Sequence, residues 1–375
     1  MKIAFVYDVA YPWHVGGAEA VTFEEARGLA KEHEVHFFTM KWPKMGEEFV
    51  HERIIYHARR GINQDRLYRH GRRSIMEAVF FSVGLLRMFR HDFDVVISNY
   101  FPILDAPFVY LYCKLKGAKY IMEVDEVWDR NYWESYLGQF LGSIASAYSS
   151  FAIKLADHYI CISSATADKV AAEGIQRSRI TTYCPVINDE ELSRIKGGNP
   201  KMRVVFSGRF IREKRLDKWL DVIEKASDSV KGIEALVVGS GPEKEGIEAI
   251  VKRRKLGRIV KIVPFYERKE DFYRMLKESA LLLNMSEREG LSIICMESVA
   301  LGVPVVLPTY SPIPEEIKEM CVVRNERAVP SAVIEILKSH DRSRFVRNTK
   351  NLRGFSTSRI GEVYAAVFKK LGLQE

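Results

Sequence analysis

The sequence is poor in cysteine, and the placement of its cysteines excludes more than their number. Cys113, Cys161, Cys184, Cys295 and Cys321 make five, an odd count, lie far apart and form no CxxC pair. Neither a disulfide framework nor a zinc site is therefore expected, and no metal site is assigned; a reducing cytosol fits such a chain. No apolar run reaches the ~18 to 20 residues that a membrane span requires. The opening MKIAFVYDV is short and broken by Asp8, so it reads as a first strand rather than a signal peptide. No short repeat is found. A basic stripe interleaved with aromatics is also missing, which leaves a nucleic-acid partner without support. Charge of one sign is only mildly in excess: 57 Lys and Arg face 49 Asp and Glu, a net +8 spread along the chain. That balance suits anionic ligands or an anionic membrane surface and selects neither.

What is present is a globular composition, 47% hydrophobic and 28% charged, in 375 residues, a length that calls for two domains. Short β-branched or aromatic runs alternate with longer amphipathic ones. KIAFVY, EVHFFTM, FDVVISNY, AKYIMEV and DHYICIS are strand candidates in the first half, each followed by helical apolar spacing. After NDEELSRIKGGNPK the pattern restarts with RVVFSG, EALVVGSG, RIVKIVPFY, ALLLNM and VPVVLP. Such alternation predicts parallel sheets with right-handed crossovers. Two series imply two doubly wound α/β domains, 1–190 and 191–375, divided near Glu190 to Met202.

In open parallel sheets ligands bind beyond the carboxyl ends of the strands, so the loops there hold the candidate residues. The first strand leads through YPWHVGGAEA into a helix. Gly16 and Gly17 let the backbone approach a ligand and the helix start offers N–H groups to an anion; a plain tight turn, with Glu19 favouring the helix dipole, explains them equally well. SGRFIREKRLD presents Arg209 and Lys214 after a strand, a guanidinium fork beside an ammonium that suits a diphosphate; the alternative is a solvated basic loop, since Arg212 and Arg215 lie alongside. VVGSGPE is another strand, glycine turn and helix start, short of a full GxGxxG. EREGLSIICMESVALGVPVV places Glu289 in a turn, Gly290 beside it, and a helix from about Leu291 whose Glu297 lies four residues from both Ile293 and Leu301. A carboxylate on that apolar face needs donors, which sugar or ribose hydroxyls would supply; a neighbouring arginine is the structural alternative.

EREGLSIICMESVALGVPVV resembles the EX7E signature of glycosyltransferase family 4. The resemblance extends through GGAE, SGRFIREK, VVGSGPE and the C-terminal STSRIGEVYAAVFKKLG, and so covers nearly the whole chain. It implies a GT-B fold, two Rossmann-like domains facing each other across a cleft. The N-terminal domain would be the acceptor side and the C-terminal domain would hold the nucleotide-sugar, with the C-terminal helix packing back towards the first domain. By the same resemblance Arg209 and Lys214 hold the donor diphosphate, Glu297 the ribose hydroxyls and Glu289 hydroxyls of the transferred sugar. Amides near Leu291, Ser292 and Ile293 cap the distal phosphate, Gly16 and Gly17 face it from the first domain, and Phe265 and Tyr266 fall where the base is usually placed. The implied activity is retaining, metal-independent transfer from a UDP- or GDP-linked sugar, with no further cofactor, to a glycan or lipid-linked acceptor. Two departures stand out. The usual Gly-Phe-Gly is Gly290-Leu291-Ser292, and MEVDEVWDR has Asp125-Glu126 where many relatives have His-Asp, leaving Asp125 or His14 as candidates for the missing histidine's role.

Two other classes fit the sequence less well. An NAD-dependent oxidoreductase wants a complete glycine fingerprint and an acid ending the second strand, whereas here that strand ends FFTMKW. A metal-dependent transferase wants Asp-x-Asp after a strand, whereas DFD at 92–94 precedes one. The expected setting is the cytoplasm, with a possible peripheral contact at an anionic membrane. The segment from Arg69 to Asp92 motivates that contact: Phe80, Phe81, Leu85, Leu86 and Phe89 lie among Arg69, Arg72, Arg73, Arg87 and Arg90. A core helix over the first sheet is the plainer reading. The apolar run from Asn131 to Phe151 adds aromatic surface on the expected acceptor side.

Overall fold

Alternating apolar runs become strands because a parallel sheet covered by helices buries both strand faces. The computed structural model describes residues 1–14, 16–61, 68–69, 72–289, 291–339 and 341–373, and only the backbone at residues 60, 61, 68, 69, 72 and 73. Two compact units emerge, Met1–Val186 with Ser356–Glu375, and Ile187–Phe355. The chain thus leaves the first unit slightly ahead of residue 190 and returns to it for the final helix.

In the first unit the five anticipated strands form as Lys2–Val6, Glu34–Lys41, Val95–Asn99, Lys119–Val124 and His158–Cys161. Three further strands join them, Glu48–His51, Ile54–Gly61 and Ile180–Thr182. The spatial order is 180–182, 158–161, 119–124, 95–99, 2–6, 34–41, 54–61, 48–51. All neighbours run parallel except the edge hairpin of Glu48–His51 with Ile54–Gly61. The second unit has a six-stranded parallel sheet in the order 260–263, 234–238, 201–207, 279–283, 305–308, 322–324. The helix Leu216–Ser229 covers it with Leu216, Trp219, Leu220, Ile223 and Ala226, a single apolar stripe. Trp219 is fully buried and donates its indole N–H to Leu283 O at 3.1 Å, which ties this helix to the end of the strand Ser279–Leu283.

The C-terminal helix Ile360–Lys370 buries Ile360, Tyr364, Val367 and Phe368 in the core of the first unit. It packs on the helix Gly17–Leu29 where Gly28 leaves no room for more: a Cβ there would stand 2.7 Å from Ile360. Beneath it lie Glu25 and Glu123, both buried. Tyr364 Oη donates to Glu123 Oε1 at 2.9 Å and Thr22 Oγ1 to Oε2 at 3.2 Å. Burial and mutual repulsion push the Glu25 carboxyl well above its ordinary value, and burial raises Glu123 as well.

The segment from Arg69 to Asp92 divides its apolar residues differently from the expectation. The helix Ile75–Gly84 and the 3₁₀ turn Leu85–Arg90 bury Phe81, Leu85 and Met88 and expose Ile75, Met76, Val79, Val83 and Leu86. Arg87 is not available at the surface: its Nη2 donates to Thr39 O at 3.3 Å and to His57 O. The side chains of Arg69, Arg72 and Arg73 lie outside the described residues. On the helix Gln139–Ala152, Phe140, Leu141, Ile144 and Phe151 are exposed. Among the described residues no helix is long and apolar enough to cross a membrane.

Tyr364→Phe should lower the melting temperature, because a buried carboxyl then loses one of its donors, a change of about 1–3 kcal/mol. Differential scanning calorimetry checks this; an unchanged midpoint would mean that the C-terminal helix is held by apolar packing alone.

Candidate functional site

In a doubly wound sheet the loops after the two strands flanking the reversal of strand order diverge and leave a crevice. In the second unit the chain passes from Lys201–Ser207 outward through Glu234–Val238 and Val260–Val263, then returns to the other side with Ser279–Leu283. The loops leaving Ser207 and Leu283 are therefore neighbours, and they carry Arg209 and Lys214 on one side and Asn284, Glu287 and Glu289 on the other. Lys214 Nζ meets Glu289 Oε1 at 2.5 Å with only 19% and 12% of the side chains exposed. Asn284 Nδ2 lies 3.4 Å from the same oxygen and donates to Ser292 Oγ at 3.1 Å. The Glu287 main-chain N–H donates to Glu213 O at 2.9 Å. Arg215, in the left-handed region at φ 48°, pairs with Asp217 and Glu287, and Lys218 reaches Glu287 at 3.4 Å and Glu326 at 3.0 Å. Arg215 is thus part of the loop clamp rather than a solvated cation. Arg209 is exposed and has no ion-pair partner among the described residues.

The VVGSGPE turn supports this loop from beneath. Gly239 and Gly241 have φ of 147° and 152°, a region that essentially only glycine occupies. A Cβ on Gly239 would stand 2.0 Å from Gly208 O, and one on Gly241 would stand 2.5 Å from Phe210 O. Main-chain bonds Phe210 N–H to Ser240 O at 2.8 Å and Glu243 N–H to Phe210 O at 3.0 Å close the contact. These glycines serve backbone packing against the Arg209 loop.

The helix expected from about Leu291 begins at Ile293, since Ser292 at φ 67° has a left-handed conformation that cannot continue a right-handed helix. A glycine would adopt it freely; Ser292 is held there by Asn284 and by its own bond to Cys295 Sγ at 3.2 Å. Leu291 and Ser292 are buried. Gly290 lies outside the described residues. Glu297 is buried, and its donor is one the sequence did not suggest: Tyr273 Oη at 2.5 Å from Oε1. Burial raises the Glu297 carboxyl, while Lys269 and the tyrosine bond pull the other way. Among the described residues no lysine or arginine pairs with it, so the arginine alternative does not apply. Phe265 and Tyr266 follow the strand Val260–Val263 and are exposed, 45% and 37%.

In the first unit the corresponding edge is formed by the strands Lys2–Val6, Val95–Asn99 and Lys119–Val124. Asp125 follows the last of these and accepts from Asn99 Nδ2 at 3.0 Å. Burial is the largest influence on Asp125 and raises it to about 7; Asn99 opposes this, while Glu123, Glu19 and Glu126 add to it. His14 is not an exposed loop histidine. Its ring lies 4.9 Å from that of Trp42 and its Nδ1 is 2.8 Å from Glu19 Oε1. Gly16 caps the helix that starts at Gly17, in an extended conformation, and a Cβ there would overlap the Glu19 carboxylate. Glu19 therefore touches His14 and also bears electrostatically on Asp125. The sequence pointed to neither the Glu25 and Glu123 pair nor Tyr273 and Asn284; an acid inside a strand otherwise made of apolar residues, as in KYIMEV, was the available signal. All five cysteines are buried and unpaired.

Asp125 gives a pH test. A carboxyl raised from 3.8 to about 7 contributes stability that is complete below 3.8 and is lost as pH rises to 7. Asp125→Asn should therefore gain stability relative to the wild type between pH 4 and pH 7, read as the difference in melting temperature. A difference that stays constant across that range would show that Asp125 titrates normally.

Comparisons with known proteins follow this geometry. A family model described as Glycosyltransferase Family 4 matches residues 15–191, and one described as Glycosyl transferases group 1 matches 189–352. Among curated relatives, the O-antigen biosynthesis glycosyltransferase WclY of Escherichia coli is 26% identical over 158 residues, 41% of this chain and 44% of that protein. The N-acetyl-alpha-D-glucosaminyl L-malate synthase of Bacillus anthracis is 30% identical over 128 residues, 32% and 33% of the two chains. The chain thus spans less than half the length of the curated relatives it matches. Solved structures extend over the whole chain: the sucrose-phosphate synthase of Thermosynechococcus elongatus, TM-score 0.78 at 15% identity, covers 99% of this chain and 98% of that one. Anabaena HepE in complex with UDP and glucose, TM-score 0.72 at 11% identity, covers 98% and 99%. The fold is GT-B, and the nicotinamide alternative finds no counterpart among these matches. With the two family models joining end to end over residues 15–352, the chain belongs to the glycosyltransferases of family 4.

Proposed function

We propose that this protein transfers a sugar, with retention of configuration, from a uridine-diphosphate donor to a glycan or lipid-linked acceptor. The observation that carries the reading is the Lys214 and Glu289 pair at the reversal point of the second sheet, flanked by the unpaired Arg209 and the buried Glu297. Arg209 and Lys214 would bind the diphosphate as fixed positive charge and stabilise it as a leaving group. Glu289, already hydrogen-bonded to Lys214, would accept from hydroxyls of the transferred sugar, and Glu297, oriented by Tyr273, from the ribose. Phe265 and Tyr266 offer exposed rings to a base. UDP as the nucleotude class is supported by HepE, whose structure holds UDP with glucose. The first unit would present Asp125, near neutrality in its titration, as the group closest in position to the family's histidine. An acceptor carried by lipid or polysaccharide is supported by the O-antigen relative and by the likeness to a lipopolysaccharide outer core galactosyltransferase, WaaB.

Arg209→Ala and Lys214→Ala should each weaken UDP binding at least tenfold by calorimetry, and Arg209→Lys should recover only part of it, since an ammonium lacks the guanidinium fork. Glu289→Gln should reduce turnover far more than melting temperature, and transfer should survive EDTA. Unchanged UDP affinity in both alanine variants would remove the donor site from this position; activity restored only by manganese or magnesium would overturn the metal-independent mechanism.

Peripheral membrane contact is the second part of the proposal, supported by the apolar rows Ile75, Met76, Val79, Val83 and Leu86, and Phe140, Leu141 and Ile144, all exposed. Co-sedimentation with phosphatidylglycerol vesicles should fall on replacing Phe140 and Ile144 by serine, and should weaken as salt rises. Absence of binding at low salt would make the acceptor a soluble glycan.

A further inference from the structure

A second charged pocket lies in the first unit, on elements that none of the donor-site residues occupy. It is a cavity of about 370 Å³ against the edge hairpin Glu48–His51 and Ile54–Gly61 and the turn Leu85–Arg90, and Arg59, Arg87 and Arg90 line it. Arg87 is its floor. One nitrogen, Nη2, is satisfied by the carbonyls of Thr39 and His57, and the guanidinium carbon sits 5.5 Å from the centre of the Phe38 ring. The other two nitrogens, Nε and Nη1, are buried and have no hydrogen-bond partner among the described residues. Guanidinium N–H groups buried without acceptors are costly, and an ordered water or a bound anion is what supplies the missing acceptors.

The neighbouring carboxylates do not fill that role. Glu47 reaches out to Lys41 at 3.4 Å and is 68% exposed; Glu48 approaches His57 Nδ1 at 3.5 Å and is 75% exposed. Both stand at the solvent rim while the orphaned nitrogens lie within. His57 and His91 complete the lining, and His57 Nε2 is engaged by His36 Nδ1 at 2.8 Å, with Glu34 on the far side of His36 at 2.9 Å. The permanent charges on the lining are three arginines against two rim carboxylates. The Nε–H edge of a guanidinium is shared with Nη2, so Nη1 donates from a separate edge beside Cδ, and with two more guanidinium groups nearby the lining suits an acceptor with several oxygens and more than one negative charge.

We propose that this cavity binds a phosphate group, held by the unmet N–H donors of Arg87 and closed by Arg59 and Arg90. The inference is independent of the donor-site reading, since it uses other residues of another sheet. A phosphate group arrives either on a soluble ester or on a phospholipid headgroup; the site chemistry is common to both. The burial that lowers the Arg87 guanidinium to about 10 is consistent with a group awaiting a counter-charge, and an anion would raise it again.

Titration of the full chain with inorganic phosphate, followed by calorimetry, tests the site. Arg59→Ala and Arg90→Ala, both at exposed positions, should each weaken binding by about tenfold, and Arg87→Lys, which keeps the charge but loses the separate guanidinium donors, should do so too. Arg209→Ala should leave this event unchanged. Phosphate affinity that is lost in Arg209→Ala but retained in Arg59→Ala and Arg90→Ala, or no binding by the wild type at millimolar phosphate, would overturn the proposal. Vesicles of phosphatidylglycerol that displace bound phosphate would assign the site to a headgroup; failure to displace it would assign it to a soluble phosphate ester.

Discussion

The second unit depends on one ion pair that joins two loops leaving adjacent strands in opposite directions. Lys214 and Glu289 are both mostly withdrawn from water, so each side chain is held in place by the other. Around it the Arg215, Glu287 and Lys218 contacts and the Glu287 to Glu213 main-chain bond repeat the same crossing of the gap. Glycine backbone at 239 and 241 lets the Val238 turn press against Gly208 and Phe210, so the cationic loop is fixed from below as well as from the side. A site that is to receive a diphosphate benefits from this arrangement because its charges are placed before the ligand arrives.

The first unit is organised around acids rather than around a cation. Glu123 is buried within the strand Lys119–Val124, opposite Glu25 from the first helix, and Tyr364 of the last helix donates to it. Burial raises both carboxyls, and Glu123 bears on the next residue but one: Asp125 is raised by burial first and by Glu123 in addition. The C-terminal helix therefore does more than cover apolar surface. Its tyrosine donates to the buried acid of the strand that leads into Asp125.

The outer surfaces of the first unit show a division of labour between charge and apolar area. The helix Ile75–Gly84 and the turn after it turn Phe81, Leu85 and Met88 inward and leave a row of aliphatic residues outside, while Arg87 folds back under the sheet edge. Of the arginines whose side chains are described, Arg87 lies at the floor of a cavity and Arg90 stands at its mouth.

The order of strands and helices was legible in the sequence, since ten apolar runs bounded by turn residues each became a parallel strand. The strands Glu48–His51 and Ile54–Gly61 were not, because IIYHARRG mixes charge with apolar residues and gains its sheet identity only from pairing with Glu34–Lys41. Arg209, Lys214, Glu289 and Glu297 could be picked out by residue type after strand ends. That Lys214 and Glu289 bond to each other, that Tyr273 is the donor to Glu297, and that Arg215 is structural are facts of through-space proximity between segments some 24 to 75 residues apart. Composition, strand alternation and the motif residues are local properties, and the sequence by itself determined them. Which charges are buried, which carboxyls are raised and which arginine keeps unmet donors were decided only by tertiary structure, because desolvation depends on what the whole fold places around a group and not on its neighbours along the chain.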